Sequence, residues 1–206
     1  MQHPESTSRG LPWGRFLVVA FLVVLDLWSK AGVFAWLEGA PDGLKYDSHG
    51  HMRVPLAGDW FAAMRSLNSG MAFGLFGDSQ AILVVGRVIA VGVLGTMLWR
   101  LPRARSLSGV ALVLVLAGAL GNLYDNLFLG SLWGWVAGDE TLSFGAVRDW
   151  IDVYFGVWDW HFPTFNVADS CISVGAVFLF LFWGKGEPTD EVAAEASEPT
   201  SEATEG

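Results

Sequence analysis

Four long apolar runs, separated by polar or glycine-rich segments, dominate the pattern of the sequence. They cover roughly residues 15–37, 80–100, 106–129 and 166–184. An α-helix rises about 1.5 Å per residue, so about 20 apolar residues cross the roughly 30 Å hydrocarbon core of a bilayer. The pattern therefore predicts an all-α membrane protein with four transmembrane helices.

The two long connections, 38–79 and 130–165, have a different pattern. Residues 54–77 mix glycines and aromatic residues with short apolar runs, which favours brief β-strands over a helix. Residues 130–165 are rich in Trp, Tyr and Phe, a composition typical of a segment at the level of the lipid headgroups.

Lysine and arginine residues predict the orientation of the helices, because short cytoplasmic connections carry an excess of both. Six of them flank the helix ends on one side of the membrane: Arg9, Arg15, Arg100, Arg103, Arg105 and Lys185. We therefore expect both termini in the cytoplasm and both long connections on the outer face.

The composition agrees with lipid as the solvent. Of the 206 residues, 52% are hydrophobic and 16% are charged, whereas a soluble domain carries about 25% charge. The net charge of −9 is concentrated in the tail 187–206, which contains seven acids and no base. We expect residues 1–186 to form one transmembrane domain and the acidic tail to be disordered. The sequence has no basic surface suited to nucleic acid.

Five ionisable residues fall inside the predicted helices, where a charge is costly and usually functional. They are Asp26, Lys30, Arg87, Asp125 and Asp169. The third helix runs outward and the fourth runs inward, so Asp125 and Asp169 are expected at a similar depth near the outer face. Each follows an asparagine by three residues, and residues three apart share a helix face.

Two carboxylates that lie close together share one proton, so one can act as a base towards water while the other acts as an acid. Asp125 and Asp169 are thus predicted to form a catalytic pair that hydrolyses peptide bonds with no metal and no cofactor. The single cysteine, Cys171, excludes a cysteine metal cluster. The alternative is that both acids simply face water at the interface.

The remaining polar residues of the helices are expected to be structural. Asp26 and Lys30 are spaced i and i+4 with the acid first, the favourable order for an ion pair. Arg87 is expected to reach the membrane surface or to pair with a carboxylate. Asn166 is also a candidate N-cap of the fourth helix.

Five short blocks, in order along residues 15–184, resemble those of the lipoprotein signal peptidase family, also called signal peptidase II. They are Leu25-Asp26-Leu27-Trp28-Ser29-Lys30, Asn68-Ser69-Gly70-Met71-Ala72-Phe73-Gly74, Gly121-Asn122-x-x-Asp125, Val147-Arg148-Asp149-Trp150-Ile151 and Phe165-Asn166-Val167-Ala168-Asp169-Ser170.

The resemblance implies an aspartic endopeptidase of the bacterial cytoplasmic membrane that removes the signal peptide from a prolipoprotein, cutting before the diacylglyceryl-modified cysteine. By matching position, Asp125 and Asp169 would be catalytic. The supporting or substrate-binding residues would be Asn68, Gly70, Asn122, Asp149 and Asn166. The implied fold has four helices, a small extracytoplasmic β-cradle and a mobile outer loop. The implied partners are the lipidated substrate and membrane lipid, and we expect a monomer.

The sequence departs from the family pattern at three places. Asn126 stands where the family has an arginine, which removes a possible charge partner, and Met71 replaces a small residue. The stretch 131–145 resembles an insertion that would extend the lid or contact a partner.

Two other classes of function compete with a peptidase. A small proton-coupled membrane carrier could use the intramembrane carboxylates as relays, but it needs polar groups across the whole depth of the bilayer. The inner halves of the last three helices are almost wholly apolar, which disfavours a carrier. A non-catalytic membrane adaptor would act through the aromatic connection.

Overall fold

The structure, a computed structural model, describes residues 13–40, 42–46, 50–68, 80–102, 106–129 and 144–182. Its four helices are α1 Trp13–Glu38, α2 Gln80–Arg100, α3 Ser106–Phe128 and α4 Val167–Phe182. Its strands are β1 Lys45–Tyr46, β2 Met52–Ala57, β3 Phe61–Asn68, β4 Val147–Phe155 and β5 Trp160–His161. Each helix lies on one of the four apolar runs of the sequence.

Three of these helices are long and apolar enough to cross a membrane: Trp13–Glu38, Ala81–Arg100 and Leu107–Phe128. The fourth, α4, is equally apolar in character but contains only 16 described residues. Large apolar side chains such as Leu17, Phe21 and Phe180 point away from the protein and are exposed. Such an exposed apolar surface is suited to lipid rather than to water.

The strands form a single antiparallel sheet in the order β1-β2-β3-β4-β5. The prediction of short strands is confirmed for β2 and β3, whereas residues 69–79 lie outside the described residues. The description as all-α needs correction, because the sheet is a second component of the fold. Its central strand β4 lies in the aromatic connection, for which the composition predicted only a segment at the membrane surface.

Helix α3 is the centre of the bundle. Of the residues in its apolar window 61% are buried, against 17% in α1 and 11% in α2. One core cluster joins Val19 of α1 and Leu98 of α2 to Leu112 and Leu116 of α3. The polar residues near the end of α3 are therefore held in the interior, where they need partners.

Glycines allow α3 and α4 to approach each other closely. A Cβ atom on Gly118 would overlap the carbonyl oxygen of Ala168, and a Cβ on Gly175 would lie 2.9 Å from the carbonyl oxygen of Ala111. Small residues at a helix interface permit this approach in membrane proteins. As a result the first turn of α4 lies directly against α3.

We expect Gly118→Ala to destabilise the protein by about 1–3 kcal/mol, the usual cost of overpacking, because the new methyl group meets backbone atoms that cannot move aside. The matched control is Gly95→Ala on α2, where an added Cβ meets no atom within 4 Å. There the higher helix propensity of alanine should stabilise the protein slightly. Thermal unfolding midpoints in one detergent would compare the two variants, and equal midpoints would contradict the close packing.

The sheet is attached to the beginning of α4 by backbone hydrogen bonds. The Ile151 N–H donates to the carbonyl oxygen of Phe165 at 2.8 Å, and the Phe165 N–H donates to the carbonyl oxygen of Ile151 at 3.1 Å. Phe165 directly precedes the first turn of α4. Strand β4 is thereby fixed beside that turn, and its polar side chains reach the end of the helix bundle.

Candidate active site

Most of the buried polar residues that the structure describes lie in one cluster at the sheet end of the helix bundle. The cluster combines residues of α1, α3, α4 and β4. They are Asp26, Lys30, Asn122, Asp125, Asn126, Arg148, Asp149 and Asn166, with the partly buried Asp169 beside them.

Asn166 and Asp169 form a reciprocal cap at the N-terminus of α4. The Asp169 N–H donates to Asn166 Oδ1 at 2.9 Å, and the Asn166 N–H donates to Asp169 Oδ2 at 3.2 Å. This is the geometry of a capping box, with aspartate at the third position. The predicted N-cap is confirmed, and the Asp169 carboxylate is held at the positive end of the helix dipole.

Asn122 connects this cap to α1 and α3. Its Nδ2 donates to Asp169 Oδ1 at 2.7 Å, while its Oδ1 accepts from Lys30 Nζ at 3.0 Å. The amide is therefore oriented by one donor and one acceptor. The contact between an asparagine and an aspartate that the sequence predicted does occur, but it crosses from α3 to α4 instead of staying within one helix.

Asp149 of β4 is almost completely buried beside the cap. Its Oδ1 accepts from Asn166 Nδ2 at 2.6 Å, and the Asn68 side chain is a second hydrogen-bond partner. Burial, followed by the negative charge of Asp169, raises the pKa of Asp149 to about 7. A buried carboxylate next to another acid prefers the neutral form, so Asp149 retains a proton near neutral pH.

Asp149 and Asp169 thus form a coupled pair of carboxylates. Asn166 contacts both of them, and the charge of one raises the proton affinity of the other. A pair in which one member is protonated and the other ionised offers an acid and a base at one place.

Asp125, the residue predicted to pair with Asp169, has different partners. Its Oδ1 accepts from Arg148 Nη2 at 2.6 Å, its Oδ2 accepts from the Arg148 N–H at 3.0 Å, and Lys30 Nζ lies 3.4 Å from Oδ2. The carboxylate is 0% exposed. A bidentate contact of this kind fixes a carboxylate as an ion. The contacts therefore favour Asp149, and not Asp125, as the partner of Asp169.

Asp26 and Lys30 hold the beginning of α4 in place. The predicted ion pair is confirmed, with Lys30 Nζ 2.7 Å from Asp26 Oδ2. Asp26 Oδ1 also accepts from the Ala168 N–H at 2.9 Å, so it satisfies one of the free N–H groups at the helix terminus. A Cβ on Gly121 would lie 2.5 Å from Asp26 Oδ2, so the glycine makes room for this carboxylate.

Arg87 of α2 contacts the cluster through an amide. Its Nη1 donates to Asn126 Oδ1, and Asn126 Nδ2 donates to the carbonyl oxygens of Gly145 at 2.7 Å and Ala146 at 3.3 Å. Asn126 therefore fixes the entry into β4. Gly70, the other predicted supporting residue, lies outside the described residues, as do the acidic tail and most of the stretch 131–145.

Arg148 is the functional residue that the sequence analysis missed. It was counted only as one of the few bases of the long connections. Its position next to Asp149, in a segment of apolar residues, was an available signal, since a buried charge requires a partner of opposite sign.

A second buried acid of the sheet, Asp152, is separate from the pair. Arg53 Nε lies 2.7 Å from its Oδ2, and His161 Nδ1 lies 2.7 Å from its Oδ1. These contacts connect β2, β4 and β5. The described residues contain no group of three or more histidine, cysteine or acidic side chains arranged to hold a metal ion.

Comparisons with known proteins agree on one family. The family model described as signal peptidase (SPase) II matches residues 18–184. The lipoprotein signal peptidase of Yersinia pseudotuberculosis serotype O:1b (strain IP 31758) is 35% identical over 195 residues, covering 93% of this chain and 96% of that protein. The lipoprotein signal peptidase of Pseudomonas aeruginosa (strain UCBPP-PA14) is 33% identical over 197 residues, covering 92% and 98%.

Solved structures share the fold. A bacterial membrane enzyme determined by the in meso method at 1.9 Å resolution superposes with a TM-score of 0.60 and covers 85% of this chain and 95% of its own. A second such enzyme, at 2.3 Å resolution, gives a TM-score of 0.58 and covers 94% of this chain. Their sequence identities of 20% and 19% mean that these two comparisons concern the fold alone.

Proposed function

The chain belongs to the signal peptidase II family, and we infer from this premise that it is a bacterial membrane peptidase that removes signal peptides from prolipoproteins. We propose that it cuts before a diacylglyceryl-modified cysteine, as a monomer in the cytoplasmic membrane. All four helices would span the bilayer, with both termini in the cytoplasm and the active site at the outer face.

Asp149 and Asp169 are proposed as the catalytic pair. Their shared contact with Asn166 and their coupled charges are the observation that carries this assignment. Asp125 is proposed as a positioning residue instead, because its carboxylate is engaged by Arg148 and Lys30. It orients β4 relative to α3 and so helps to place Asp149.

In the proposed reaction, Asp169 accepts a proton from a water molecule while the water oxygen attacks the carbonyl carbon of the scissile peptide. Asp149, which holds a proton near neutral pH, donates it to the carbonyl oxygen. When the tetrahedral diol collapses, the C–N bond breaks and the leaving amine takes up the proton held by Asp169. A diol proton returns to Asp149, so the pair regains its starting state. The pair titrates as a unit.

Substrate binding would occur at the membrane surface. The turn between β4 and β5 exposes Val157 and Trp158, and the aromatic residues Trp160 and Phe162 follow it. Tryptophan and other aromatic side chains prefer the headgroup region. A substrate anchored there by its acyl chains would have its scissile peptide held near the pair, which is a proximity contribution to the rate.

The test of this function is incubation of the purified protein with a fluorogenic peptide that carries a diacylglyceryl-modified cysteine. We expect cleavage before that cysteine and no cleavage of the same peptide with an unmodified cysteine. Proton uptake into liposomes, measured in parallel, tests the carrier alternative. Uptake without cleavage of either peptide would reject the peptidase.

The proposed mechanism predicts a pH dependence. Its active form carries one proton on the pair, and Asp149 loses its proton as the pH rises through about 7. We therefore expect kcat/KM to fall above about pH 7. Measurement across pH 5–9 (~0.5-unit steps,) checks this, with the exposed Asp59→Asn variant as a control that leaves the profile unchanged. A rate still rising at the alkaline end would contradict Asp149 as the acid.

A further inference from the structure

Arg87 is a cation in the middle of a predominantly apolar helix. Its neighbours along α2 are aliphatic and glycine residues, many of them exposed towards the lipid side. An arginine at such a position is costly and normally serves a function or a partner inside the protein. The hydrogen bond from Arg87 to Asn126 shows that the side chain turns inward, towards α3.

The charges of the polar cluster show what this cation can contribute. The described cluster contains the carboxylates of Asp26, Asp125, Asp149 and Asp169 and the cations of Lys30, Arg87 and Arg148. If all were ionised, the cluster would carry one net negative charge, and a single proton on the catalytic pair makes it neutral.

Two of the three cations are in direct contact with acids outside the pair. Lys30 lies 2.7 Å from Asp26, and Arg148 lies 2.6 Å from Asp125. The printed contact of Arg87 is with a neutral amide, so this contact leaves its charge undiminished. That charge interacts with Asp169 and Asp149.

Asn126 holds the guanidinium in position. Its carbonyl oxygen accepts from Arg87, and its amide nitrogen is bound to the backbone that leads into β4. Asn126 is also 1% exposed, so the amide has little freedom to reorient. The arginine that the resembling family has at this position is absent here, and α2 supplies a guanidinium from the opposite side.

We propose that Arg87 is a positioning residue of the catalytic pair, whose guanidinium, held by Asn126, supplies the positive charge that sets the proton affinity of Asp149 and Asp169. This inference rests on the proposed function, because it takes Asp149 and Asp169 as the reacting carboxylates.

The sign of the effect follows from electrostatics. A nearby cation favours the ionised form of a carboxylate, so its removal raises the proton affinity of the pair. The other charged groups that face the pair are Asp26 and Lys30 of α1, Asp125 of α3 and Arg148 of β4, while Arg65 of β3 is paired with Glu38. None of these changes when Arg87 is replaced, so the shift reports the missing guanidinium.

The experiment compares the pH profiles of kcat/KM for Arg87→Gln, Arg87→Lys and the double variant Arg87→Gln/Asn126→Arg. We expect Arg87→Gln to move the alkaline limb up by roughly one pH unit. Arg87→Lys should keep the limb near that of the wild type, and the double variant should restore it, since a guanidinium returns from α3. The matched control is Arg100→Gln, an exposed arginine at the other end of α2.

Three results would overturn the inference. One is a uniform loss of rate for Arg87→Gln with an unmoved alkaline limb, which a merely structural role would produce. Another is an equal shift for Arg100→Gln. If Arg87→Gln does not fold, an infrared titration of the carboxyl groups of Arg87→Lys and of Asn126→Leu replaces the profile, and an Asp149 titration unchanged in Asn126→Leu rejects the tether. Failure of the wild type to cleave rejects the proposed function instead, so the two failures are distinguishable.

Discussion

Asp149→Asn is expected to lower the rate of peptide cleavage by about 10²–10⁴-fold or more, the range that general acid–base catalysis contributes. The amide has the shape of the carboxyl group and can still contact Asn166, but it cannot exchange a proton with the substrate. Asp169→Asn should cause a loss of the same size, because it removes the base that activates water. Single-turnover cleavage of the lipidated peptide measures both losses.

The folded state provides the control for this result. The pKa of Asp149 is raised by folding, so the stability that its protonated form contributes is lost as the pH rises from the ordinary range of an aspartate to about 7. At pH 8 (~one unit above that value,) we therefore expect the Asp149→Asn variant to unfold at or above the midpoint of the wild type. Asp59→Asn should change neither the rate nor the midpoint. Full turnover by Asp149→Asn would remove the assignment.

Asp125→Asn is expected to destabilise the protein by about 3–5 kcal/mol, the cost of removing one partner from a buried ion pair. The change leaves the Arg148 guanidinium buried without its bidentate carboxylate and removes a charge beside Lys30. We expect a large fall in the thermal midpoint and a smaller yield of folded protein. Unfolding followed by tryptophan fluorescence in one detergent measures this loss.

The comparison of Asp125→Asn with Asp149→Asn separates the two assignments. We expect the first to lose mainly stability, with cleavage retained by the fraction that remains folded, and the second to lose mainly activity. If Asp125→Asn were as stable as the wild type and inactive, Asp125 would be the catalytic residue, as its position in the sequence predicted. A double variant with Arg148→Met tests the cause, since removing both charges should recover part of the lost stability.

Local patterns in the sequence were sufficient for several parts of this structure. The lengths of the apolar runs gave the positions of the helices, and the glycine-interrupted segment after α1 gave strands β2 and β3. The i, i+4 spacing of Asp26 and Lys30 predicted their ion pair, and the spacing of Asn166 and Asp169 predicted the cap. In each case the partners lie within one turn of helix or within one strand, so their distance depends only on the backbone of that element.

The partner of Asp169 could not be obtained in this way. Antiparallel helices fix the depth of a side chain, which correctly brought the end of α3 near the start of α4. Depth does not fix the direction in which a side chain points around the helix axis, and Asp125 points to Arg148 and Lys30. Asp149 entered the site through the sheet, for which the aromatic connection gave no clear signal.

The sequence by itself determined the medium, the helices and the presence of acids near one end of the bundle, because these follow from composition and local periodicity. Only the tertiary structure decided which acids are neutralised by cations and which are left to share a proton. That choice depends on the hydrogen bonds between Ile151 and Phe165 and on the close approach of Gly118 to Ala168. These contacts join residues far apart in the chain, and the energy of a buried charge depends on the distances to all of its neighbours at once.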